Sequence, residues 1–159
     1  MNNTLFIEKY KPNTLDEIIG NDHIITSLKL SVEKELYTSI IFYGDIGIGK
    51  TITAINYAKQ IIKSKENFII YNAYDDRNQT NIKTKLDSLV KKKTPDFKVV
   101  LFDEFDSILE STQSVIFEYL EEPYIIFIFI VNKLSSILDS IQKRCLVYCF
   151  KQIADNLIF

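Results

Sequence analysis

Apolar residues gather along the chain in two ways that alternate. Five nearly unbroken runs are rich in β-branched and aromatic residues and read as strands: Ile40-Ile41-Phe42-Tyr43, Phe68-Ile69-Ile70-Tyr71, Val99-Val100-Leu101-Phe102, the run 125–131, and Leu146-Val147-Tyr148-Cys149-Phe150. Between them, apolar positions recur at steps of three and four. The sets are Ile24, Ile25, Leu28, Val32 and Leu36; Ala54, Ile55, Ala58, Ile61 and Ile62; Ile82, Leu86, Leu89 and Val90; and Val115, Ile116, Tyr119 and Leu120. These spacings predict amphipathic helices, with a shorter helical piece over 137–141. Strands that alternate with helices predict one α/β domain built on a parallel sheet. The run 125–131 carries no polar residue, so it is expected to be central and covered on both faces.

The polar positions mark the element ends. Pro12 keeps the stretch before it out of a helix, and Thr14-Leu15-Asp16-Glu17 fits a capping box for a short turn that Gly20 ends. Asn21 or Asp22 is placed to cap the first helix, Thr80 the third, and Ser111 or Thr112 the fourth. Lys91-Lys92-Lys93 closes the third helix as solvated charge that suits the negative helix end.

The first strand runs into Gly44-Asp45-Ile46-Gly47-Ile48-Gly49-Lys50-Thr51, which holds three of the four glycines in the chain. A G-x-x-x-x-G-K-[ST] loop between a strand and a helix is a phosphate site. Its backbone N–H groups converge on phosphate oxygens, and the helix start adds partial positive charge. Lys50 is expected to neutralise the β/γ oxygens and Thr51 to ligate Mg²⁺. The third strand delivers two adjacent carboxylates, Asp103 and Glu104, at the sheet edge where ligands sit in open α/β sheets. Asp103 is expected to hold Mg²⁺ and Glu104 to polarise an attacking water. Asn132 ends the fourth strand with a polar amide at the same edge.

Composition narrows the alternatives. The 159 residues are 47% hydrophobic and 25% charged, the balance of a globular α/β domain. A net charge of −2 gives no overall basic field, though a local patch could still meet nucleic acid. The apolar run 124–131 is too short to span a membrane, and the polar Asn2-Asn3-Thr4 start lacks the form of a signal peptide. Cys145, Cys149 and the single His23 make no zinc set and fit a reducing compartment, with His23 read as a surface residue and Cys145 as packing.

The order of these motifs resembles the AAA+ ATPase module of sliding-clamp loaders, and within it a small subunit of replication factor C. Glu8-Lys9-Tyr10-Lys11-Pro12 with Leu15-Asp16-Glu17-Ile18-Ile19-Gly20 resembles the family's E-K-Y-R-P…L-D-D-x-x-G opening. Asn72-Ala73-Tyr74-Asp75-Asp76-Arg77 resembles its N-A-S-D-x-R, and Ile141-Gln142-Lys143-Arg144-Cys145 its I-Q-S-R-C. A different AAA+ remodeller would lack the opening and the R-C motif together.

The resemblance implies a three-layer P-loop fold with a five-stranded parallel sheet in the order 5-1-4-3-2, over residues 1–151. It implies that Tyr10, Lys11, Pro12 and Ile19 wrap adenine, and that Gly44, Asp45, Ile46, Gly47, Ile48, Gly49, Lys50, Thr51 and Ile52 contact ATP. Asn132 is then the sensor of the γ-phosphate, and Arg144 an arginine finger presented to a neighbouring subunit. Thr80, Asn81 and Lys83 on one helix, and Thr112 on another, are the implied contacts to primer–template DNA.

The implied protein is a Mg²⁺-dependent ATPase acting with other clamp-loader subunits and a sliding clamp. It would be intracellular: nuclear in a eukaryote, otherwise cytoplasmic or at a viral replication site. A second expectation is a structural subunit that offers Arg144 to its neighbours. Three departures stand out. Asp45 and Ile48 replace the usual Pro and Thr of the loop, and Phe117-Glu118 stands where an Arg pair is common. The chain also ends where a helical lid and collar would begin, with 152–159 expected as the start of a lid helix cut short by truncation, gene splitting or degeneration.

Overall fold

The computed structural model describes residues 11–72, 78–92 and 94–153. Among these described residues, five strands form one sheet: β1 (Ile40–Tyr43), β2 (Phe68–Asn72), β3 (Lys98–Asp103), β4 (Ile125–Val131) and β5 (Leu146–Cys149). Their order is β2-β3-β4-β1-β5, the expected 5-1-4-3-2 seen from the opposite edge. Every neighbouring pair is parallel. The helices are α1 (Asp22–Lys34), α2 (Lys50–Ile61), α3 (Gln79–Lys91), α4 (Glu110–Phe117) and the single turn α5 (Asp139–Gln142).

Side chains on a strand alternate between faces, and here both faces are covered. In β4, Ile125, Phe127, Phe129 and Val131 join one core while Ile126, Ile128 and Ile130 join the other. All seven residues are buried, as a central strand with no polar position requires. The first core takes Ile82, Leu86 and Leu89 of α3, Ile116 of α4 and Ile141 of α5. Phe102, Phe105, Phe127 and Phe129 pack there as neighbours, with Phe105 and Phe129 centroids 4.4 Å apart. The second core takes Ile24, Ile25 and Leu28 of α1 and Ala54, Tyr57, Ala58 and Ile61 of α2. Each such large apolar side chain stabilises the fold by about 1.5–3 kcal/mol on burial. At the sheet margin, β5 leaves Leu146 and Val147 exposed. Among the described residues, no helix is long and apolar enough to cross a membrane.

The register aligns the strand ends. Tyr43 pairs with Val131 and Phe102 with Phe129, so the loops after β1, β3 and β4 emerge side by side.

The caps differ from the sequence expectations. Asn78 rather than Thr80 caps α3, its side chain accepting from Thr80 N–H at 2.9 Å. Leu109, not Ser111 or Thr112, precedes α4, and Thr112 is buried at 3% exposure. A buried Thr112 cannot reach DNA, which corrects the contact implied for it. Thr14 makes no side-chain cap, and Glu17 instead accepts from Asn13 N–H at 2.9 Å. Asn21 occupies the cap position of α1 without capping it, because its amide is engaged elsewhere.

Candidate nucleotide-binding site

The loop between β1 and α2 sets the geometry. Gly44 has φ +148°, and a Cβ there would lie 2.6 Å from Phe150 O, so only glycine fits against the chain leaving β5. Lys50, the first residue of α2, is 5% exposed. Its ammonium donates to Gly44 O and Asp45 O, both at 2.5 Å, and to Asn132 Oδ1 at 3.3 Å. Burial pushes its pKa below the ordinary lysine value, while Asp45, Asp103 and Asp106 pull it back up. Thr51 Oγ1 donates to Asp103 Oδ2 at 3.3 Å, joining α2 to the end of β3.

Glu104 comes next with φ +54°, a left-handed conformation that costs a side-chain-bearing residue about 1–3 kcal/mol. Its Oε2 is buried and has no hydrogen-bond partner among the described residues. Asp106, two residues on, accepts from Asn132 N–H at 3.1 Å and so ties the end of β4 to the turn after β3.

Two adjoining clefts flank the loop. The smaller, about 360 Å³, is lined by Lys50, Thr51, Asp103, Glu104, Ile130 and Asn132 as well as loop residues. The larger, about 550 Å³, lies between Pro12, Ile18 and Ile19 on one side and Phe150, Gln152 and Ile153 on the other. Ile46, Gly47, Gly49 and Ile52 line both. Asp45 and Ile48 line the larger, with Asp45 exposed to solvent, where its charge is screened. The structure therefore brings the residues 45–52, Asp103, Glu104 and Asn132 to one place, with Pro12 and Ile19 beside them. Lys11 is exposed and lines neither cleft. Tyr10 lies outside the described residues, as do 73–77 of the Asn72–Arg77 motif and 154–159 of the expected lid helix.

Arg144 stands apart. It precedes β5, whose first residue Leu146 pairs with Ile40 at the start of β1, whereas the loop leaves the end of β1. It lines neither cleft. Its guanidinium pairs with Glu121 and lies over the Phe117 ring, 5.4 Å from the centroid. The departure at Phe117 thus provides an aromatic platform for this arginine. Beside it, burial pushes the Cys145 thiol up to about 12, which fits a packing residue. Thr80, Asn81 and Lys83 are all exposed at the start of α3.

Three polar residues that shape the site had no role of their own assigned from sequence, Gln142 having entered only as part of the I-Q-S-R-C resemblance. Gln113, 1% exposed, donates to Ile108 O and Ser136 O and accepts from Leu138 N–H. Gln142 donates to Leu134 O and Ile137 O, so two amides hold the turn between Asn132 and Arg144. Asn56, on the inner face of α2, donates to Pro12 O at 3.1 Å and fixes one wall of the larger cleft. For Gln113 the sequence carried one signal, polarity at an inward helical position three residues before Ile116, whereas Asn56, two before Ala58, lies off the apolar spacing.

Residues 40–152 match the family described as ATPase family associated with various cellular activities (AAA). The replication factor C small subunit of Methanosphaera stadtmanae is 33% identical over 162 residues, covering 98% of this chain and 50% of its own length. That of Methanococcus vannielii is 34% identical over 155 residues, covering 93% and 49%. The chain spans about half the length of the curated relatives it matches. In solved structures, the RuvB Holliday junction branch migration motor of Thermotoga maritima superimposes with a TM-score of 0.78 at 16% identity, over 93% of this chain and 51% of that one. At that identity the likeness is one of fold.

Proposed function

The chain belongs to the ATPase family associated with various cellular activities, and from that membership we propose that it binds and hydrolyses ATP as one subunit of a clamp-loader-like assembly. The assembly would set a sliding clamp on primer–template DNA. The observation that carries the ATPase reading is the convergence of Lys50, Thr51, Asp103, Glu104 and Asn132 in one cleft beside the glycine loop. The clamp-loader reading is supported by the identity to replication factor C small subunits over nearly the whole chain.

The residues present fit a magnesium nucleotide. Thr51 Oγ1 and Asp103 Oδ2, 3.3 Å apart, are the hard oxygen donors that Mg²⁺ takes when phosphates and water complete its shell. Bound there, Mg²⁺ would neutralise charge on the phosphate oxygens. Among the described residues, no cluster of three or more His, Cys, Asp or Glu competes as an all-protein metal site. The 550 Å³ cleft, walled by Pro12, Ile18 and Ile19, offers apolar surface for a base.

Lys50 holds the β/γ oxygens as a point charge, and Asn132 orients the water through its amide. Glu104, with one carboxylate oxygen buried and without a partner among the described residues, accepts the proton of that water. Arg144 acts on a neighbouring subunit, where an always-charged, planar guanidinium stabilises the spreading phosphoryl charge. Its position outside both clefts of its own chain supports this in-trans role. Thr80, Asn81 and Lys83 meet DNA phosphates without sequence preference.

That same placement favours a second reading, a subunit whose main service is Arg144. One experiment separates them: ATP turnover is measured for the chain alone and after mixing with partner subunits. In the first reading, Lys50→Ala, Asp103→Ala or Glu104→Gln in this chain removes its share of turnover. In the second, those variants leave turnover of the mixture intact and only Arg144→Ala lowers it, by about 10³-fold or more. Indifference of the mixture to all four substitutions would sink both.

A further inference from the structure

We propose that Asn21 is a positioning residue for the nucleotide, holding the wall of the larger cleft against which the base packs. The inference rests on reading that cleft as the base pocket.

Asn21 pairs with both backbone groups of Lys151. Its Nδ2 donates to Lys151 O at 3.1 Å, and Lys151 N–H donates to its Oδ1 at 2.9 Å. This amide gives up two things to make the pair. At the cap position of α1 it makes no hydrogen bond to the helix N–H groups, and its backbone sits at φ +52°, outside the region most residues favour. Asparagine tolerates that conformation better than other side chains, and its amide matches the donor and acceptor of one extended residue.

This pairing matters for the segment that leaves β5. Phe150 N–H is held by Tyr43 O at 2.8 Å, just before the glycine loop. Lys151 is then held by Asn21, and Ile153 packs on Gly20, where a Cβ would come within 2.7 Å of Ile153 Cγ1. Phe150, Gln152 and Ile153 form one wall of the cleft, and Pro12, Ile18 and Ile19 the other, with Asn21 itself lining the cleft where it joins them. Residues 151–153 belong to no helix or strand, so no ladder fixes the spacing of the walls. Among the described residues, Asn21 supplies the side-chain hydrogen bonds that do. It has no part in the phosphate-side cleft, so its removal loosens the base without disturbing Lys50 or Thr51.

The test compares two ligands that share a triphosphate, only one of which carries a nucleoside. Binding of ATP and of inorganic tripolyphosphate, each with Mg²⁺, is measured by displacement of a fluorescent ADP analogue. Asn21→Gly keeps the left-handed backbone and removes both hydrogen bonds. It is expected to weaken ATP about five- to tenfold and leave tripolyphosphate within about twofold. Ile153→Ala loosens the same wall from its other side and should show the same selective loss, which keeps the inference testable if Asn21→Gly does not fold. ATP binding by Asn21→Gly or, failing that, Ile153→Ala at the wild-type level, or equal loss of both ligands, overturns the proposal. If the wild type binds neither ligand, or binds tripolyphosphate as tightly as ATP, the reading of the cleft itself fails and this inference with it.

Discussion

Lys50 Nζ donates to Asn132 Oδ1 at 3.3 Å, so a cation that opens α2 and an amide that closes β4 meet across 82 positions of sequence. Neither residue adjoins the other in any local pattern. Parallel pairing of β1 with β4 brings them together, and the pair marks where the triphosphate's terminal charge is expected.

Removing that cation should cost binding far more than folding. Lys50→Ala is expected to weaken nucleotide and tripolyphosphate alike, by about 10- to 100-fold for the loss of charge-assisted hydrogen bonds. Because burial lowers the Lys50 pKa, wild-type tripolyphosphate affinity should begin to fall with rising pH below 10.5, the ordinary lysine value. A titration series across alkaline pH checks this, and a loss that begins only above that value would contradict it.

Glu104 combines backbone strain with a buried carboxylate oxygen that has no hydrogen-bond partner among the described residues. Both are costs that catalysis can justify and packing cannot. Glu104→Asn should therefore be more stable than wild type by about 0.5–1 kcal/mol, since asparagine accepts φ near +54° more readily. Nucleotide binding should persist while turnover falls at least about 10²-fold. Denaturant midpoints and single-turnover rates report the two halves separately.

Gln113 satisfies two carbonyls and one N–H from a buried position between α4 and the turn 134–138. Gln113→Leu fills similar space but leaves those groups unpaired. The expected loss is about 2–4 kcal/mol. Hydrogen exchange should accelerate at Leu138, whose amide loses its acceptor, more than in β3. Unchanged protection at Leu138 would show that the turn holds itself.

Cys145 has its pKa raised from 9.0 to about 12 by burial. The folded thiol keeps its proton where the unfolded one has lost it, so its contribution to stability is complete below pH 9 and declines as pH rises toward 12. Tyr57, also raised to about 12, begins to act only near its ordinary value of 10.0. Urea midpoints measured from pH 8 upward should therefore begin to fall near 9 in wild type, and near 10 in Cys145→Ala. Iodoacetamide should leave Cys145 unmodified at pH 8 until the protein unfolds.

Much of the fold was legible because its signals are local. Ile125–Val131 could only be a central strand, since seven apolar residues in extended form present both faces for burial. The glycine loop, Asp103-Glu104 and Asn132 were legible for a related reason: each sits directly after a strand, and parallel strands all end at the same edge. The strand order came from the resemblance rather than from the residues, and the pairing agrees with it. Helix caps were less legible. Asn78, Thr80, Ser111 and Thr112 are all competent caps, and which one serves depends on how the helix seats on the sheet.

By itself, then, the sequence determined the alternation of strands and helices, the glycine loop and the carboxylates beside it, because these arise from short-range periodicity and from chemistry carried on neighbouring residues. Tertiary structure alone decided the rest. It buried Thr112, moved Asn21 from capping α1 to holding Lys151, and turned Phe117 into a support for Arg144. It also placed Gln113 and Asn56 as internal ties. An amide or hydroxyl can be satisfied by many partners, and only the folded chain fixes which of them lies within hydrogen-bond reach.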